Sequence, residues 1–118
     1  MADVKPVPDG YPRVTPYLAV DGAADAIEFY GKVLGTRERM RMPGPDGKIG
    51  HAELELGDSV IMLADEHPEM EAAGPKSIGG TPVSMLVYVE DADDVFKRAI
   101  EAGATERQPV EDKFYGPA

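Results

Sequence analysis

The chain has 118 residues, with 12 Lys+Arg against 22 Asp+Glu for a formal charge of −10, 42% hydrophobic residues and no Cys. Such a length supports one modest core, and without cysteine there is no disulfide framework, thiolate nucleophile or thiolate metal site. The negative charge opposes binding to nucleic acid and to anionic lipid, and no apolar run reaches membrane-spanning length, so neither is an expected partner and the expected location is the cytoplasm.

After the prolines Pro6, Pro8 and Pro12, the β-formers of Thr15-Pro16-Tyr17-Leu18-Ala19-Val20 predict a first strand with Pro near its start. Ala23, Ala26, Ile27, Tyr30, Val33 and Leu34 recur at helical spacing, with Asp21 or Gly22 at the cap and Gly35 past the end, which predicts a helix with one buried face. Thr36 to Met42 alternates, Pro43-Gly44-Pro45-Asp46-Gly47 turns, and Lys48 to Leu56 alternates again before Gly57-Asp58 and the apolar run from Ser59 to Ala64. This predicts three strands in a meander. Within the third strand Gly50, Ala52, Leu54 and Leu56 suit the helix face, so His51, Glu53 and Glu55 point to the opposite, concave face. Arg37, Arg39 and Arg41 are expected to share one face of a charge-protected edge strand.

Residues 65–82, rich in Pro, Gly and charge, read as a long surface connection. Val83 to Val89 predicts an apolar strand, Asp91 opens a second helix with Val95, Phe96, Ala99 and Ile100 on one stripe and Gly103 at its end, and Ala104 to Phe114 reads as a weaker final strand. Residues 1–50 carry seven acids and seven bases while residues 51–118 carry fifteen and five, so the whole net charge lies in the second part. A solvated acidic surface accounts for it.

Val20-Asp21-Gly22-Ala23-Ala24-Asp25-Ala26-Ile27 lies over Val89-Glu90-Asp91-Ala92-Asp93-Asp94-Val95-Phe96, and Leu34-Gly35-Thr36-Arg37-Glu38 lies over Ala102-Gly103-Ala104-Thr105-Glu106 with one residue of slip. The chain therefore contains an internal repeat. A β-α-β-β-β unit used twice resembles the vicinal oxygen chelate superfamily, which includes glyoxalase I, bleomycin-resistance proteins and extradiol dioxygenases. Thr15-Pro16-Tyr17-Leu18, Ile27-Glu28-Phe29-Tyr30, Met42 to Lys48, His51-Ala52-Glu53-Leu54, Gly57 to Asp65, Gly80-Thr81-Pro82-Val83 and Pro109-Val110-Glu111-Asp112 resemble its PhnB-like branch. The resemblance implies an α+β fold of paired βαβββ modules: module one over about 13–65, a linker over 66–82, and a module two over 83–118 truncated after its second strand.

In the metal-dependent members, ligands come from the first and last strands of each module. On the Val20 and Val89 landmarks three of the four positions fall on Thr15, Met62 and Ser84, two hydroxyls and a thioether, which do not make a divalent-metal site, and the fourth falls in the segment missing from module two. No metal or other cofactor is therefore expected. The same face logic places Thr15, Tyr17, Met62, Ser84, Leu86 and Tyr88 with His51 and Glu53 on a mixed apolar and aromatic concave surface. The implied function is binding of a small, partly apolar molecule, with Tyr17 and Tyr88 stacking on it and His51 and Glu53 hydrogen-bonding to it. The alternative is a metal-dependent lyase, isomerase or dioxygenase using His51 and Glu53; a purely structural module is a third reading. Because the incomplete second module leaves strand edges open, a homodimer, with or without exchanged elements, is expected, against the competing account of a shortened chain.

Overall fold

The meander forms as the alternation predicts. In the computed structural model, which describes residues 6–67, 69 and 72–107, β1 (Tyr17–Val20) leads into α1 (Ala23–Leu34) and then into β2 (Arg37–Pro43), β3 (Ile49–Leu56) and β4 (Ser59–Asp65). The strands make one sheet in the order β1-β4-β3-β2, with β1 parallel to β4 and the other neighbours antiparallel. This is one complete βαβββ unit. α1 covers one sheet face, and Ala23 and Ile27 meet Ile49, Ala52, Leu54, Ile61 and Leu63 in the core. Ala52 and Leu54 are thus on the helix side, which turns Glu53 to the other side.

The helix begins at Gly22 in the left-handed region, φ 94°, and has no capping side chain of its own. Asp65, at the end of β4, supplies the acceptor instead. Its Oδ1 accepts from the N–H groups of Gly22 (3.0 Å) and Ala23 (2.8 Å), and its Oδ2 accepts from Ile49 N–H (2.7 Å). Burial pushes this carboxyl up, but the three backbone donors outweigh it and hold the group below the usual carboxylate range. One side chain therefore ties the N-termini of α1 and β3 to the end of β4.

Beyond β4 the connection contains a short α2 (Pro75–Ile78), preceded by Gly74, whose N–H donates to Glu66. A side chain at Gly74 would stand 2.7 Å from Ala19 O, so only glycine lets this loop lie against β1. The second helix, α3 (Ala92–Glu101), is capped by Asp91, which accepts from Asp94 N–H at 3.1 Å, and packs on α1. Its start and end match the sequence reading.

Two expectations are corrected. Val83–Val89 forms no strand and pairs with none among the described residues, and Val83 (70% exposed), Leu86 (79%) and Tyr88 (90%) are exposed. In the first unit the strand preceding the helix is held by β4, and no corresponding strand lies among the described residues. Of the expected final strand, 104–107 are not strand and 108–114 lie outside the described residues. The second correction concerns β2. A register shift between Glu38 and Met40 breaks the alternation, so Arg37 and Arg39 reach Glu55, whereas Arg41 pairs with Glu38. The three arginines do not share a face. Met40 and Met42 instead stand opposite Glu53 and His51.

Candidate functional site

The sheet register sets the site. Tyr17 is paired with Met62, Met62 with Glu53, and Glu53 with Met40, so one row crosses all four strands on the face away from α1. His51, two residues before Glu53, shares that face. Its Nε2 lies 2.9 Å from Glu53 Oε2 and its Nδ1 lies 2.9 Å from the Tyr17 hydroxyl. The remaining Glu53 oxygen, Oε1, accepts from the Tyr11 hydroxyl at 2.7 Å. Four side chains thus form one continuous chain, Tyr11–Glu53–His51–Tyr17.

Glu53 is only 5% exposed, whereas Tyr17 at the other end is 54% exposed. Burial pushes the Glu53 carboxyl up, but hydrogen bonds from His51 and Tyr11, with the nearby charges of His51 and Arg39, hold it below its usual range. Glu53 is consequently an anion at neutral pH. Its acceptance of the Tyr11 hydroxyl, together with burial, pushes that phenol up.

Tyr11 was not singled out by the sequence pattern. Its position over β3 comes from the proline-rich lead-in, where Arg39 Nη1 donates to Gly10 O at 3.0 Å and the Arg39 guanidinium lies 4.6 Å from the centre of the Tyr11 ring. Arg39 also reaches Glu55 Oε2 at 3.4 Å. A hydroxylated aromatic 42 residues from a buried glutamate carries no local periodicity signal, so only the tertiary fold brings the two together.

The eight expected site residues divide. Tyr17, His51, Glu53 and Met62 are brought together on the sheet. Ser84, Leu86 and Tyr88 line a separate cleft of about 660 Å³ with Pro12, Val14, Pro16 and the β3–β4 turn from Leu56 to Ile61. Thr15 joins neither group; its hydroxyl faces Pro12 O at 3.5 Å. The donor set at Thr15, Met62 and Ser84 does not fit a divalent ion, since a thioether and two neutral hydroxyls divided between these places offer no converging hard ligands. Among the described residues no group of three His, Asp or Glu is placed to hold a metal, and no helix is long and apolar enough to cross a membrane.

A βαβββ sheet backed by one helix, with a polar chain on its other face, defines the class, and the comparisons agree. The chain belongs to the Glyoxalase/Bleomycin resistance protein/Dioxygenase superfamily, whose family model matches residues 11–118. An uncharacterized protein of Mycobacterium bovis is 44% identical over 108 residues, spanning 89% of this chain and 71% of its own length. Two uncharacterized proteins of Mycobacterium tuberculosis, from strains CDC 1551 and H37Rv, are also 44% identical, and there the match spans 64% of their length. Among solved structures, a gene product of Arabidopsis thaliana is similar with a TM-score of 0.67 at 22% identity, covering 84% of this chain and 79% of that one. TioX from Micromonospora sp. ML1 is similar with a TM-score of 0.62 at 28% identity, covering 89% of this chain and 81% of its own.

Proposed function

We propose that this chain binds a small, partly apolar molecule on the sheet face away from α1, without a metal, in the manner of a bleomycin-resistance-like, PhnB-like member of its superfamily. The observation that carries the reading is the chain Tyr11–Glu53–His51–Tyr17, anchored by a buried carboxylate and ending in an exposed phenol, with Met62 paired to Tyr17 and Met40 and Met42 opposite Glu53 and His51. Adaptable thioethers and a rigid aromatic supply apolar contact, while the chain supplies polarity at one fixed point. Ser84, Leu86 and Tyr88 belong to a second surface and are not needed for this one. The metal-dependent lyase, isomerase or dioxygenase alternative has less support, because His51 and Glu53 are already bonded to each other and to two tyrosines.

The test is a screen of small aromatic compounds against protein labelled at its methionine methyl groups. The expected result is a hit that shifts Met40, Met42 and Met62 and whose affinity falls about tenfold or more in His51→Ala, the loss of a hydrogen-bonding side chain in a site of this kind. Hits unaffected by His51→Ala end the assignment. The chain is further proposed to work as a homodimer. Seven residues, 83–89, with β-forming side chains and no strand partner among the described residues can pair with another strand, and a second copy of the chain is the proposed occupant. Light scattering at micromolar concentration is expected to give the mass of two chains; the 12.7 kDa of one chain would end that proposal.

A further inference from the structure

The direction in which the polar chain donates decides what it can bind. Glu53 is an acceptor at both oxygens, taking the Tyr11 hydroxyl on Oε1 and His51 Nε2 on Oε2. His51 therefore presents an N–H from Nε2, and in its neutral form this leaves Nδ1 as a lone pair. The Tyr17 hydroxyl, 2.9 Å from Nδ1, donates its single proton there. Every donor in the chain is spent inward, so the Tyr17 oxygen offers the open face only its lone pairs.

From this polarity we infer that the site selects a neutral hydrogen-bond donor, a phenolic or enolic hydroxyl on an apolar body, and discriminates against anions such as carboxylates. The inference rests on the binding reading above and names the ligand class for the same surface. Two further observations support it. The buried Glu53 carboxylate lies two hydrogen bonds behind Tyr17, where its charge repels an anion. Arg37 and Arg39, the cations nearest on the sheet, are both engaged by Glu55 at 2.7 and 3.4 Å. Met40 and Met62 within the row, and Met42 opposite His51, suit the apolar body of an aromatic alcohol.

Three probes of one shape test this: 2-naphthol, its methyl ether 2-methoxynaphthalene, and 2-naphthoate, titrated at about pH 8, where an ordinary imidazole and a phenol are neutral and a carboxylate is ionised. Dissociation constants are read from the methionine methyl resonances. 2-Naphthol is expected to bind about fivefold tighter than the ether, the ratio one net hydrogen bond supplies, with 2-naphthoate weakest. Tyr17→Phe keeps the ring and is expected to bring 2-naphthol and the ether to equal affinity. The His51 ring nitrogens, observed by long-range proton–nitrogen correlation, are expected to show the proton on Nε2. Equal binding of 2-naphthol and ether by the unaltered protein, tightest binding of 2-naphthoate, a preference that survives Tyr17→Phe, or a proton on Nδ1 each overturns the inference while leaving the binding surface standing. Methionine resonances that move with none of the probes overturn both.

Discussion

The sheet unit of residues 17–65 and the segment of residues 83–101 carry similar sequence signals and reach different ends. In the first, β1 precedes α1 and is taken into the sheet by β4; in the second, an equally apolar stretch precedes α3 and pairs with no strand among the described residues. Leu63 is fully buried, while Leu86 is 79% exposed. A strand is thus a relation between two segments. Apolar and β-branched residues make a stretch able to pair, but hydrogen bonds form only where an edge is presented.

The comparison can be sharpened by substitution, beginning where the effect is greatest. Leu63→Ala removes a fully buried side chain from the sheet core and is expected to cost about 3 kcal/mol in urea unfolding. A loss under about 1 kcal/mol would mean that the core is not centred there. Asp65→Asn leaves three backbone donors competing for one side-chain oxygen, and a loss of about 2 kcal/mol at neutral pH is expected. The pH dependence has a definite sign. Because the folded state holds the Asp65 carboxyl below its unfolded value near 4, its contribution is complete above that value and is lost as pH falls through the lower folded one. Unfolding followed from pH 6 downward should therefore decline less steeply in Asp65→Asn than in the unaltered protein.

Tyr11→Phe removes the hydroxyl donated to Glu53 and is expected to lower the urea midpoint by less than Asp65→Asn does, measured by the same titration. If it costs nothing, the lead-in does not hold the buried carboxylate. Leu86→Asp is the mildest change to the fold itself, within about 0.5 kcal/mol for a single chain, since the side chain stands in solvent. Its larger effect is expected on association: a two-chain particle in light scattering should become a single chain.

The parts legible in sequence are those carried by neighbours along the chain. α1 matches its reading from Ala23 to Leu34 because the apolar residues recur at three-and-four spacing and Gly35 supplies the left-handed turn, φ 75°, that ends it. His51 and Glu53 were assigned together to the open face because strand alternation permits little else. Their partners were less accessible. Tyr17 was expected on the same surface, but its bond to the Nδ1 of His51 depends on β1 lying beside β4 and β4 beside β3.

Periodicity and turn glycines by themselves determined the order β1-α1-β2-β3-β4, the α3 helix and the helix-facing side of β3, since each is written in spacings of a few residues, while the superfamily came from motifs that resemble it. Tertiary structure alone decided that Asp65 caps α1 from 43 residues away, that Tyr11 closes on Glu53, and that a register shift in β2 sends Arg41 away from Arg37 and Arg39. Among the described residues it also left 83–89 outside the sheet. The division follows from the forces involved: local spacing selects which face of an element is apolar, whereas a hydrogen bond between distant side chains exists only once the chain has brought them together.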